Sequence, residues 1–75
     1  MSYVVEASTS DPATREGYAK DNLANYQVCH SRPQAAEQAA RFFRSGYWVE
    51  VYHQESGELM AGPIDPDQPL PKYIV

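Results

Sequence analysis

The chain is poor in the residues from which small chemical sites are usually built. It carries one cysteine, Cys29, and two histidines, His30 and His53. A single cysteine excludes an internal disulfide and points to a reducing compartment. With no C-x-x-C and no H-x-x-x-H spacing, a closed structural metal site is not expected. A nucleophilic cysteine would need a histidine beside it. Cys29 and His30 are strand neighbours whose side chains point to opposite faces, so a buried or edge thiol is the plainer reading. Carboxylates come close in sequence only as Asp65/Asp67 and Glu55/Glu58, which read as solvated turn residues. The chain has no phosphate-cradling glycine motif. We therefore expect a protein that is not an enzyme and needs no cofactor and no metal.

Basic residues are also few. Six Lys and Arg face ten Asp and Glu, for a net charge of −4. A dedicated nucleic-acid binder is usually basic, so direct nucleic-acid binding is not expected. No apolar run approaches the roughly 18 residues of a membrane span. The N-terminal stretch Met1 to Glu6 lacks the basic and apolar regions of a secretion signal. These features place the expected site of action in the cytoplasm. At 75 residues the chain is expected to form one domain, with a core over 1–63 and a Pro-rich strap over 64–75. A domain of this size buries only about 60–65% of its unfolded surface, so a partner or a second copy would help to stabilise it.

What the chain does have is concentrated between Ser31 and Pro63. Ser31 and Gln34 have capping-box spacing, and Pro33 falls in the first turn, where its missing N–H is harmless. Ala35, Ala36, Ala39, Ala40, Phe42 and Phe43 form an apolar stripe at helical spacing. Glu37 and Arg41 are a favourable i,i+4 pair. Arg41 and Arg44 suit the negative end of the helix dipole, and Gly46 supplies the left-handed stop. Tyr47 to His53 has strand composition, with Tyr47, Val49 and Val51 on one face and Trp48, Glu50 and Tyr52 on the other. Glu55-Ser56-Gly57 reads as a hairpin loop, Glu58 to Gly62 as the return strand, and Pro63 as its end.

Upstream, Tyr3 to Ala7 reads as a strand and Ser8 to Thr14 as a loop. Arg15 to Lys20 reads as either a connection or one helical turn. Ala24 to His30 alternates as a half-buried strand, with Ala24, Tyr26, Val28 and His30 sharing a face. The order is β-β-α-β-β. The expected fold is α+β, a four-stranded antiparallel sheet with one helix across one face. Phe42 and Phe43 are expected to meet Val4 or Val5, Tyr26, Val28, Val49, Val51, Leu59 and Ala61. The tail 64–75 is proline-rich yet ends apolar. It reads as a strap packed on the sheet or as an arm that docks on another chain.

Two surfaces stand out as candidate binding sites. Trp48 and Tyr52, with Met60, would line the sheet face away from the helix, and tryptophan and tyrosine are common anchors of protein interfaces. Arg41 and Arg44, with Arg32 and the paired Glu37, would form a small basic patch on the helix.

Residues 31–61 resemble a pattern found in some small phage-encoded anti-CRISPR proteins. The matching residues are Ser31, Ala35, Ala39, Arg41, Phe42, Phe43, Gly46, Glu50, Val51, Gly57, Leu59 and Ala61. The resemblance implies an inhibitor without catalytic activity that binds a bacterial CRISPR surveillance complex of Cas proteins and blocks access of target DNA. It carries over no contact residues, and it leaves the Pro-rich tail unexplained. Two further readings stand beside it. One is an interaction module or homodimeric subunit. The other is a single-strand nucleic-acid binder that stacks bases on Trp48 and Tyr52.

Overall fold

The computed structural model describes residues 2–12, 22–72 and 74. The expected connection at Arg15 to Lys20 lies outside the described residues, as do Tyr73 and Val75. The fold is α+β, with element order β1 (Tyr3–Ser8), β2 (Leu23–Cys29), α1 (Arg32–Arg44), β3 (Trp48–His53) and β4 (Leu59–Ile64). The four strands form one antiparallel sheet in the order β2-β1-β3-β4. β1 is therefore central and pairs with both β2 and β3. α1 joins two strands that flank β1, so the middle of the chain is a β-α-β unit split by the first strand.

The helix begins and ends as its residues dictate. The Ser31 hydroxyl accepts a hydrogen bond from the Gln34 N–H at 3.2 Å. The Gln34 side chain reaches back one residue further than a standard capping box and accepts the His30 N–H at 2.8 Å. At the other end, the Gly46 N–H donates to Phe43 O and the Tyr47 N–H to Phe42 O, the paired bonds of a Schellman motif, with Gly46 at φ +89°. Ala35, Ala39 and Phe42 are buried, while Ala36, Ala40 and Phe43 are half-buried. The two buried alanines, Ala35 and Ala39, bring the helix axis close to the sheet. Phe42 then fills the space near the C-terminal end, with the Tyr47 ring edge-on at 6.3 Å.

The core is Tyr3, Val5 and Ala7 of β1, Cys29 of β2, Val49 and Val51 of β3, Ile64 of β4, and the buried helix residues. The alternation expected in β3 is present, with Val49 and Val51 inward. In β2 the faces are reversed from expectation. Tyr3 pairs with Cys29 and Glu6 with Tyr26, so the inward parity of β1 selects Cys29 and turns Tyr26 and Val28 to the far face.

Leu59 likewise does not meet the helix. It pairs with Tyr52 on the far face and is exposed. Met60 packs against the core instead of joining Trp48 and Tyr52. The β3–β4 register shifts between Val51 and Tyr52, so that Leu59 and not Met60 stands opposite Tyr52.

Pro63 does not end the return strand. β4 runs through it to Ile64, across a cis Gly62–Pro63 bond. The strand lies at the sheet edge, where a missing N–H leaves no ladder bond unmade. Gly62 sits at φ +100°, and a Cβ there would run into the Val49 carbonyl oxygen. Past Ile64, the Asp65 carboxylate caps a turn by accepting the Asp67 N–H at 2.8 Å. Ile74 packs on the core. The described tail residues do not show a strap laid across the sheet.

Candidate binding surface on the open face of the sheet

The face away from α1 is built by the alternate residues of each strand: Val4, Glu6 and Ser8 of β1, Tyr26 and Val28 of β2, Trp48, Glu50 and Tyr52 of β3, and Leu59 of β4. Its margins are apolar and open. Tyr26 is 60% exposed and Leu59 43%, the two large hydrophobic residues that stand furthest into solvent among the described residues. Val4, Val28, Trp48 and Tyr52 are half-buried between them.

Its centre is acidic. Glu6 and Glu50 are directly opposed across the β1–β3 ladder. Each is only 6% exposed. Like charges opposed on neighbouring strands repel, and a buried carboxylate loses its hydration unless hydrogen bonds replace it. Glu6 takes part in a further interaction of its own. Glu50 Oε1 has no hydrogen-bond partner among the described residues. Beside the pair, a cleft of about 320 Å³ is lined by Val4, Glu6, Tyr52, His53, Gln54 and Gly57. An aromatic wall and a carboxylate together suit a cationic or amphipathic group better than an anionic one.

The basic patch lies on the other side of the molecule. Arg41 and Arg44 occupy the last turn of α1, on its outer surface. The Arg41 guanidinium donates to Glu37 Oε1 at 3.0 Å, and both side chains are largely exposed. Such a pair is worth a few tenths of a kcal/mol, about 0.3–0.5. Arg32 is at the opposite end of the helix, roughly 13 Å from Arg41 along the axis at the usual helical rise. The fold thus splits the candidates into three places: Trp48 and Tyr52 on the open sheet face, Arg41 with Arg44 and Glu37 on the outer helix, and Arg32 at the helix start.

The residues considered for catalysis or metal binding are held apart. The Cys29 side chain is in the core, where burial pushes the thiol pKa up. His53 stacks on Tyr3 with ring centroids 5.4 Å apart. Tyr3 pairs with Cys29 on one side and His53 on the other, so β1 stands between thiol and imidazole. His30 is exposed, with Nδ1 3.2 Å from the Ser2 hydroxyl. No group of three or more His, Cys, Asp or Glu converges on a point among the described residues. The exposed Glu55 carboxylate lies below its ordinary pKa, chiefly because its own backbone N–H hydrogen-bonds the charged form. No described helix is long and apolar enough to cross a membrane.

Comparison with known protein families, with curated proteins and with solved structures finds no match to this chain. The surface is thus interpreted from its own geometry. The sequence alternation places Trp48 and Tyr52 on this face, as the structure does, but it shows neither the Glu6–Glu50 pair nor the exposure of Tyr26. Val5-Glu6-Ala7 and Val49-Glu50-Val51 each show a glutamate between inward apolar residues. That signal places both carboxylates on far faces, but the strand pairing that sets them opposite each other is not readable in the sequence.

Proposed function

We propose that this chain is a non-enzymatic binding protein that engages a protein partner through the open face of its sheet. The observation that carries the reading is that face itself, with exposed Tyr26 and Leu59 and half-buried Trp48 and Tyr52 around a central pair of carboxylates. Aromatic anchors that project from a rigid sheet lose little side-chain freedom on binding, which favours their use as contact points. The acidic centre and the net charge of −4 favour a basic partner surface. They also weigh against the stacking of single-stranded nucleic acid on Trp48 and Tyr52, because phosphates would approach two carboxylates.

The resemblance of residues 31–61 to small anti-CRISPR proteins directs the choice of partner within this reading. A surveillance complex holds nucleic acid in basic grooves, and an acidic chain of β-β-α-β-β layout is suited to occupy one. The inhibitor would act in the cytoplasm of a bacterial host. The helix patch of Arg41 and Arg44 is the second contact surface to weigh, because it lies on the opposite side and would serve an acidic partner.

The test is co-purification of tagged protein with purified multi-subunit CRISPR complex, comparing Leu59→Asp with the double variant Arg41→Glu and Arg44→Glu. Stoichiometric binding lost in Leu59→Asp and kept in the arginine variant is the expected result. Loss in the arginine variant alone would move the site to the helix. No binding by the unmodified chain would remove the CRISPR assignment.

A further inference from the structure

The two edges of the sheet are built differently: the β2 edge has one register shift, confined to its start at Ala24, and is regular from Asn25 to Cys29. β2 is an edge strand of sequence Leu-Ala-Asn-Tyr-Gln-Val-Cys, with no charged residue, proline or glycine. Residues Ala24 to Gln27 are all exposed. Natural edges are usually blunted by charge, proline, bulges or a covering element, because their free N–H and C=O groups accept another strand. Among the described residues, two outward backbone groups of β2 are engaged by the strand's own side chains. The Tyr26 N–H donates to Asn25 Oδ1 at 2.8 Å. Gln27 Nε2 donates to Val28 O at 3.3 Å. Because alternate residues of a strand direct their backbone groups to the same side, Tyr26 and Val28 face outward while Asn25, Gln27 and Cys29 bond β1.

The other edge is closed to pairing. β4 contains Gly62-Pro63, and its ladder to β3 shifts register twice. A β2 strand therefore cannot add to the β4 edge of the next molecule, which removes the head-to-tail route to open fibres. What remains for β2 is another β2. An antiparallel pairing centred on Tyr26 sets Tyr26 against itself and Asn25 against Gln27 of the second copy, within the regular part of β2. It replaces the local Asn25 bond with two reciprocal Tyr26 N–H to C=O bonds. The two exposed tyrosine rings then become directly opposed on one face, a favourable cross-strand aromatic pair. The chain is acidic overall, yet the contact strand is free of charge, so no like charges meet at the axis.

We propose that two copies of this chain pair through their β2 edges, antiparallel about Tyr26, into a continuous eight-stranded sheet with a closed two-fold axis. The pairing stands independently of the partner assigned above. It would set the two open faces side by side, so that a partner meets a doubled surface. A contact one strand wide is small beside a standard interface of about 1,600 Å², so the dimer is of the weak, concentration-dependent class.

The experiment is sedimentation equilibrium of the full chain from about 10 µM to about 1 mM, with Tyr26→Lys and Tyr26→Phe as variants. The average mass should climb from 8.4 kDa towards twice that value for the unmodified chain and for Tyr26→Phe. Tyr26→Lys, which places two ammonium groups on the axis, should remain monomeric with an unchanged far-UV circular dichroism spectrum. Amide exchange at Tyr26 should slow as concentration rises. A monomer at the highest concentration, a dimer that persists in Tyr26→Lys with the Tyr26 amide unprotected, or growth beyond two copies would each overturn the proposal.

Discussion

The two faces of the sheet are made from the same four strands but are closed by different means. The helix side is a continuous apolar layer of Tyr3, Val5, Ala7, Cys29, Val49, Val51 and Ile64, sealed by Ala35, Ala39 and Phe42. The far side has a hydrophobic margin open to solvent and two opposed glutamates at its centre. Folding alone accounts for the first face. The burial of apolar area drives it, with β-branched Val5, Val49, Val51 and Ile64 in the strands and Ala35 and Ala39 in the helix. The second face carries exposed aromatic surface and a repulsive pair that hydrophobic burial alone does not call for. Residues that stability does not require are where function is sought.

The comparison can be broken first at Phe42. If the helix face supplies the stability, Phe42→Ala should lose about 3–4 kcal/mol, a large part of the margin of so small a domain. Its urea midpoint should fall sharply at an unchanged slope. A loss below about 1 kcal/mol would mean that the helix is not the main closure of the core.

Glu50→Gln probes the other face and has the opposite sign. It removes a buried charge and keeps the shape, so stability should rise by about 1 kcal/mol in thermal unfolding. If stability drops instead, Glu50 is paired more fully than its unpartnered oxygen indicates.

The smallest effect concerns the thiol. Burial raises the Cys29 pKa, so the folded state keeps its proton to higher pH than the unfolded chain does. Its contribution to stability is full below the ordinary thiol pKa and is lost as pH rises through the raised value. Reaction of the native protein with a thiol reagent at mildly alkaline pH should be slow and should accelerate on addition of denaturant. Fast native labelling would place Cys29 at an open edge.

Much of this architecture was legible in the amino-acid order because its signals are local. Ser31, Pro33 and Gly46 bound the helix through contacts within four residues of themselves. The alternation around Val49 and Val51 shows a half-buried strand, and Gly57 at φ +72° supplies the hairpin turn. The β-β-α-β-β layout follows from those elements in order. The Trp48 and Tyr52 face was readable by the same alternation.

The rest depended on how distant segments meet. In β2 the alternation pointed to Tyr26 and Val28 as the buried set, yet that more apolar set is the one turned away from the helix. The choice was made by register against β1, where Tyr3 takes Cys29 as its partner and every other residue of β2 follows. Pro63 stays in a strand because tertiary pairing put β4 at an edge. Glu6 and Glu50, 44 positions apart, become neighbours because β1 is inserted between the two strands that the helix connects. The sequence alone determined the order of the elements, the ends of the helix and the alternation of β3, since these arise from backbone sterics and contacts a few residues long. Only the tertiary structure decided strand order, register and the meeting of the two carboxylates. Those arise when apolar faces compete to be buried together, and that competition is settled across the whole chain.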